Sequence, residues 1–206
     1  MSEVEEKCLK LIETAMLHVR ENYFQITLPS KAGRKLVKRR ERVYCYELYH
    51  QMRCLQDGDC NRNEQDFKLG EQVIINGEID KRNHPIIVQG FNPDFVIHKQ
   101  GWMTDNLCVI EVKTDLTLDG IRKDFNTITC MLNCYKYKLG VFIITGVEEE
   151  KVRSVICDIY KKIKCLPKQA GKIYAFIQEE PNGIIKKYNL KRLIGEYEET
   201  NGNSNL

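Results

Sequence analysis

The sequence predicts an α/β protein, and three observations lead to that class. Helical and extended patterns alternate along the chain, with apolar residues recurring at helical spacing in four stretches and at strand spacing, or as short runs, between them. Two short apolar runs, Phe95-Val96-Ile97 and Leu107-Cys108-Val109-Ile110, flank a polar loop that turns at Gln100-Gly101, and they read as adjacent strands. Val141-Phe142-Ile143-Ile144 is a continuous apolar run, as a strand covered on both faces requires. The resulting order is helix, strand, strand, strand, helix, strand, with a helix added before it and a helix and strand after it.

Residues 2–24 read as the first helix. Ser2 and Glu5 have the spacing of a capping box, and Val4, Cys8, Leu11, Ile12, Ala15 and Val19 fall on one face. Residues 31–42 carry Lys31, Arg34, Lys35, Lys38, Arg39, Arg40 and Arg42 against one acid, Glu41, and form the most basic stretch of the chain. A helix from Arg39 to Leu55 follows, with Tyr44, Leu48, Met52 and Leu55 as its apolar stripe and Glu47 beside it. Residues 57–68 are polar and loop-like. Gln72 to Lys81 reads as a strand with Val73, Ile75 and Ile79 on one face and Asn76, Glu78 and Asp80 on the other; Gly77 marks a bulge or a close backbone approach. Arg82-Asn83-His84-Pro85 is a turn, and Ile86-Ile87-Val88 extends the hairpin.

Beyond the two central strands, Thr117 is the expected N-cap of a helix reaching about Tyr137, with Ile121, Phe125, Ile128 and Leu132 buried and Gly140 breaking the pattern. The acidic Glu148-Glu149-Glu150 suits the start of a helix that carries Val152, Val155, Ile156, Ile159 and Ile163 and stops before Pro167. Ile173 to Ile177 is a further strand. Residues 1–194 form one domain, and the polar residues 195–206 read as a disordered tail.

Composition narrows the class of function. The chain has 206 residues, 30% charged and 42% hydrophobic, enough to bury a real core. No apolar run approaches membrane-spanning length, and the acidic, amphipathic N-terminus is unlike a signal peptide, so the expected compartment is the cytosol. The nine cysteines are odd in number. Several, including Cys8, Cys45, Cys108, Cys130 and Cys157, sit inside expected elements and read as reduced thiols rather than a disulfide framework. Cys54 with Cys60 and Cys130 with Cys134 have poor zinc-ligand spacing, and no His pair completes either site. The net charge of +3 defines no partner by itself; the placement of the basic residues does.

The chemistry concentrates between Pro93 and Lys113. Asp94 opens the first apolar run, and Glu111-Val112-Lys113 closes the second. If the two strands pair, Asp94 comes beside Glu111, while Lys113, two residues on, shares the face of Glu111. Two carboxylates and a backbone carbonyl are hard oxygen ligands for Mg²⁺, and a same-face ammonium can orient water or stabilise phosphoryl charge. The plainer alternative is an exposed strand end with a surface ion pair.

Pro93-Asp94…Glu111-Val112-Lys113 resembles the PD-(D/E)xK motif of the restriction-endonuclease-like nucleases. The resemblance implies an α-β-β-β-α-β core over about residues 40–145, with a central mixed sheet flanked by helices, an added N-terminal helix and a C-terminal αβ addition. It implies that Asp94 and Glu111 bind Mg²⁺ or Mn²⁺, that the Val112 carbonyl is a further ligand, and that Lys113 takes part in catalysis. It also implies an acid from the helix before the sheet, and Glu47 falls where that acid is expected. The activity implied is hydrolysis of phosphodiester bonds in nucleic acid, with DNA the expected substrate. Many cutters of both strands act as dimers, so a homodimer is among the arrangements the resemblance allows. Lys38, Arg39 and Arg40 are the expected phosphate contacts, and Arg122 and Lys123 lie at the start of a helix that could reach a phosphate at the strand ends. The competing class is a nucleic-acid-binding protein that keeps the fold only as a scaffold.

Overall fold

The computed structural model describes residues 1–29, 35–58, 67–77, 91–100, 105–162 and 169–202. Lys31, Arg34, Cys60, Glu78, Ile79, Asp80, Lys81, the turn at 82–85, the run at 86–88, Gly101, Ile163 and Pro167 lie outside these residues, as do the last four positions of the expected tail.

In chain order the elements are helices α1 (Glu3–Leu17) and α2 (Glu21–Phe24), strands β1 (Ile26–Pro29) and β2 (Lys35–Lys38), then α3 (Glu41–Asp57). There follow β3 (Val73–Gly77), β4 (Phe95–Lys99), β5 (Asn106–Lys113), α4 (Leu118–Cys134), β6 (Leu139–Thr145), α5 (Glu149–Lys162), β7 (Ile173–Gln178), β8 (Lys186–Asn189) and α6 (Leu190–Gly202). Strands β3 to β8 form one six-stranded sheet in sequence order. The pairs β5–β6 and β6–β7 are parallel, and the other three are antiparallel, so the sheet is mixed as expected.

Strand alternation sends side chains into two separate cores. Ile75, Phe95, Ile97, Cys108, Ile110, Val112, Val141, Ile143 and Phe176 pack with α1 and α3. Val96, Val109, Phe142, Ile144, Ala175 and Ile177 face α4, α5 and α6. The run at 141–144 is buried at every position because helices cover both of its faces.

Four local features differ from expectation. The first helix is not continuous to residue 24. It ends at Leu17, the His18 N–H donates to the Ala15 carbonyl and the Val19 N–H to the Met16 carbonyl, and the chain turns to bury Val19 and Phe24, the latter edge-on to Tyr44 at 5.9 Å. The basic stretch around Lys35 and Lys38, to which the sequence pattern assigned no element, pairs with residues 26–29 as a β-hairpin. Leu28, Leu36 and Val37 are exposed on it, so no buried face marked it in the sequence. Gly140 does not end α4 but sits inside β6, where a Cβ would lie 2.3 Å from Ile128 Cγ2; the helix closes instead through Tyr135, and Lys136 follows at φ 56°. Residues from 195 continue α6 to Gly202, anchored by buried Leu190, Leu193 and Ile194. That helix and β8 both lie beyond the last strand the sequence pattern defined.

Candidate active site

The site stands at the carboxyl end of β5, beside the parallel pair β5–β6. Open α/β sheets bind ligands outside the carboxyl ends of their strands. Phe95 pairs with Ile110 and Val96 with Val109, so one further step of the register sets Asp94 opposite Glu111. Asp94 Oδ2 accepts the Val112 N–H at 2.7 Å, which closes the end of the β4–β5 ladder with a side chain. Val109 belongs to the core facing α4, so Glu111 and Lys113, at successive alternate positions, share that face. Glu111 is 4% exposed. Burial pushes its carboxyl well above the ordinary range, and the carboxylates of Asp94 and Asp124 push it further, with the Asp94 carboxylate in hydrogen-bond contact.

Lys113 is the centre of the positive charge. Its Nζ donates to the Val112 carbonyl at 3.0 Å and to Glu41 Oε2 at 3.3 Å, and lies 3.2 Å from Asp124 Oδ2. The last contact is an ion pair without the angles of a hydrogen bond. Burial depresses the ammonium, but Asp124, Glu41 and Asp94 together outweigh burial and hold it above the ordinary lysine value. These neighbours favour the protonated form of Lys113. Asp124 is pushed up to about 6 by burial, against the pull of Lys113. Glu41 is also raised, first by burial and then by Asp94, with Lys113 opposing.

The structure brings together Asp94, Glu111, Val112 and Lys113. It does not bring Glu47 to them. Glu47 lies six residues past Glu41, about 240° around the helix, and accepts from Gln51 Nε2 at 2.8 Å. Glu41, the first residue of α3, meets the Lys113 ammonium instead. The sequence reading took Glu41 as a lone acid in a basic stretch. Asp124 was missed as well, although an acid directly before Phe125 on a buried helical stripe was a usable signal. Lys38, Arg39 and Arg40 are exposed and lead directly into Glu41. The Arg39 side chain lies across Gly146, just past β6, where φ is +72° and a Cβ would meet its Nε at 2.1 Å. Arg122 and Lys123 are exposed on α4 beside Asp124, with Arg122 3.8 Å from Asp119.

The donor set fits a hard divalent cation. Asp94, Glu111 and the Val112 carbonyl are all oxygen donors at one strand end, and a cation would relieve the repulsion that raises Glu111. Among the described residues, no group of three or more His, Cys, Asp or Glu side chains is gathered as a ready-made metal cluster; the carboxylate pair would need the backbone carbonyl and water to complete a shell. Next to Asp94 a cavity of about 500 Å³ opens between α3 and the ends of β3 and β4, lined by Arg42, Tyr46, Tyr49, Asn76 and Phe95, with Glu41 and Asp94 at one side.

Fold and site together define an α/β protein with acidic side chains around one half-buried lysine at the end of a mixed sheet. No family model, curated protein or solved structure matches the chain. No helix among the described residues is long and apolar enough to cross a membrane.

Proposed function

We propose that this protein is a divalent-metal-dependent nuclease of the restriction-endonuclease-like type, hydrolysing phosphodiester bonds, with DNA as the favoured substrate. One observation carries the reading: Asp94 and Glu111 meet at the end of paired strands, and Lys113 is held on the same face between Glu41 and Asp124. A surface ion pair would leave these groups in water, whereas Glu111 and Asp124 are buried. Buried carboxylates crowded against each other cost stability, which is the signature of a site kept for chemistry.

In this reading Asp94, Glu111 and the Val112 carbonyl hold Mg²⁺ or Mn²⁺. When bound, the ion supplies Lewis acidity toward a phosphate oxygen and toward water. Lys113, as an ammonium, donates to a phosphate oxygen or to the attacking water and offsets charge as it develops. Glu41 and Asp124 position that ammonium. The exposed Lys38, Arg39 and Arg40 attract the phosphate backbone without reading bases. A cytosolic setting belongs to the same proposal; none of the described cysteines is in a disulfide.

The test is incubation of the purified protein with linear, circular, single-stranded and branched DNA, and with RNA, in Mg²⁺, Mn²⁺ or EDTA. Metal-dependent cleavage that Asp94→Asn and Lys113→Met both lose supports the reading. Binding without cleavage under every metal replaces it with the scaffold class.

A further inference from the structure

Arg42, Tyr46 and Tyr49 follow one another on α3 at spacings of four and three residues, so they share a helix face. That face forms one wall of the cavity beside Asp94. Tyr49 is fixed twice: its ring stacks on Phe95 at 6.2 Å and an interplanar angle of 9°, and its hydroxyl donates to the Ile75 carbonyl at 3.3 Å. Gly77 also lines the cavity, and a Cβ there would touch the buried Phe95 ring at 3.4 Å, so the glycine leaves room beside it. Tyr46 is 62% exposed, a large aromatic side chain standing at the cavity with no core to serve. Asn76 also lines the cavity, and its amide oxygen is engaged by His98 Nε2 at 2.9 Å.

A flat, partly apolar ligand fits these walls. A volume of about 500 Å³ is ample for one base and its sugar and far too small for a duplex. Asp94 of the proposed site is among the residues that line this cavity, so a phosphate at Asp94 would place its attached nucleoside near the aromatic wall. In an intact duplex that base is stacked and paired and cannot turn into a pocket without being flipped out. Aromatic side chains beside a cationic face are the usual platform for unpaired bases.

We propose that the cavity beside Asp94 receives the base of an unpaired nucleotide, so that the protein acts on single-stranded or frayed nucleic acid in preference to intact duplex. The substrate preference rests on the nuclease reading; the base-binding cavity does not.

The first measurement is saturation-transfer NMR and titration of the full-length, metal-free protein with 2′-deoxyadenosine and thymidine, and with 2-deoxyribose as the baseless control. These probes carry no phosphate, so neither the metal nor the repulsion from Glu41 and Asp94 enters. The expected result is saturation of base protons, no binding of the sugar alone, a loss of affinity of about five- to a hundredfold in Tyr46→Ala, and near-normal affinity in Tyr46→Phe. Tyr46 is exposed, so its replacement leaves the core intact; unchanged melting of both variants checks this. The second measurement compares Mg²⁺-dependent cleavage of a single strand with that of its duplex. A higher rate on the single strand that Tyr46→Ala reduces completes the proposal. Nucleoside binding in a protein that cleaves nothing keeps the base cavity and removes the nuclease reading. Cleavage of duplex and single strand at equal rates, or nucleoside binding indifferent to Tyr46, overturns the proposal and leaves hydrolysis standing.

Discussion

Glu111→Gln should stabilise the metal-free protein while abolishing its activity. The change removes a charge and keeps the shape, and the amide can still hydrogen-bond to the Asp94 carboxylate. Two carboxylates about 4 Å apart repel by about 4 kcal/mol at an effective dielectric of about 20. Lys113, on the same face, offsets roughly half of that, leaving a net cost of about 2 kcal/mol. The sign follows from linkage. The folded-state value for Glu111 is raised, so the folded protein holds a proton that the unfolded chain releases near the ordinary carboxylate range. Stability is fully present below that range and is lost as pH rises toward the raised value, by about 1.4 kcal/mol for each pH unit inside the window. Asp124, pushed up to about 6, adds a second loss between the ordinary aspartate value and that point. At pH 7.5 in EDTA the variant should therefore melt about 4–8 °C above wild type, taking about 2–4 °C per kcal/mol for a chain of this size. At pH 4.5 the two should melt together. Saturating Mg²⁺ should close the gap from the other side, since an ion at 100 times its dissociation constant adds about 2.7 kcal/mol to wild type and less to a protein lacking one ligand. Differential scanning calorimetry in EDTA and in Mg²⁺, across pH, reads all of these. A variant that melts below wild type at pH 7.5 in EDTA, or a gap that ignores pH, would refute the reasoning.

Three further outcomes are expected. Lys113→Met strips the counter-charge from buried Asp124 and should cost about 3–5 kcal/mol by urea unfolding, while adding Asp124→Asn should recover at least half of the loss with cleavage still absent; a double variant as unstable as the single one would show that the two are not coupled. Glu41→Gln should lower kcat about tenfold or more, whereas Glu47→Gln, whose carboxylate is engaged by Gln51, should stay within about twofold of wild type in steady-state cleavage assays. Replacing Lys38, Arg39 and Arg40 with Gln should weaken binding equally for all sequences and reduce the slope of log affinity against log salt by about two to three, measured by fluorescence anisotropy; an unaltered slope would place the phosphate track elsewhere.

The parts of the fold legible in the sequence are those whose burial imposes a period. The run at 141–144 and the stripe Ile121, Phe125, Ile128 and Leu132 each left a pattern because one face, or both, had to be apolar. In the hairpin of β1 and β2 no side chain whose burial is described is fully buried, and the hairpin left no pattern. Strand β8, with the sequence Lys-Lys-Tyr-Asn, is an edge strand with exposed or half-exposed side chains, and it was equally silent. In the site, Asp94, Glu111 and Lys113 were readable because an ionisable residue at the end of an apolar strand needs a reason. Glu47 was preferred to Glu41 because the sequence gives no helical phase for an acid relative to a sheet it has not yet met. Only the packing of α3 fixes which carboxylate turns toward Lys113. Asp124 needed the crossing of α4 over β5 to acquire its meaning.

The hydrogen bond from the Val112 amide to the Asp94 carboxylate makes one proton a gauge of the whole site. Asp94 serves there as a substitute rung at the end of the ladder, so zipping the last step of β4 onto β5 and assembling the carboxylate pair are the same event. The neighbouring groups repel, so the sheet should begin to fray at this corner, far from its termini. Deuterium uptake at the Val112 nitrogen would count those openings directly. Slower uptake on adding a divalent ion would measure, without any substrate, how firmly the ion pins the strands shut.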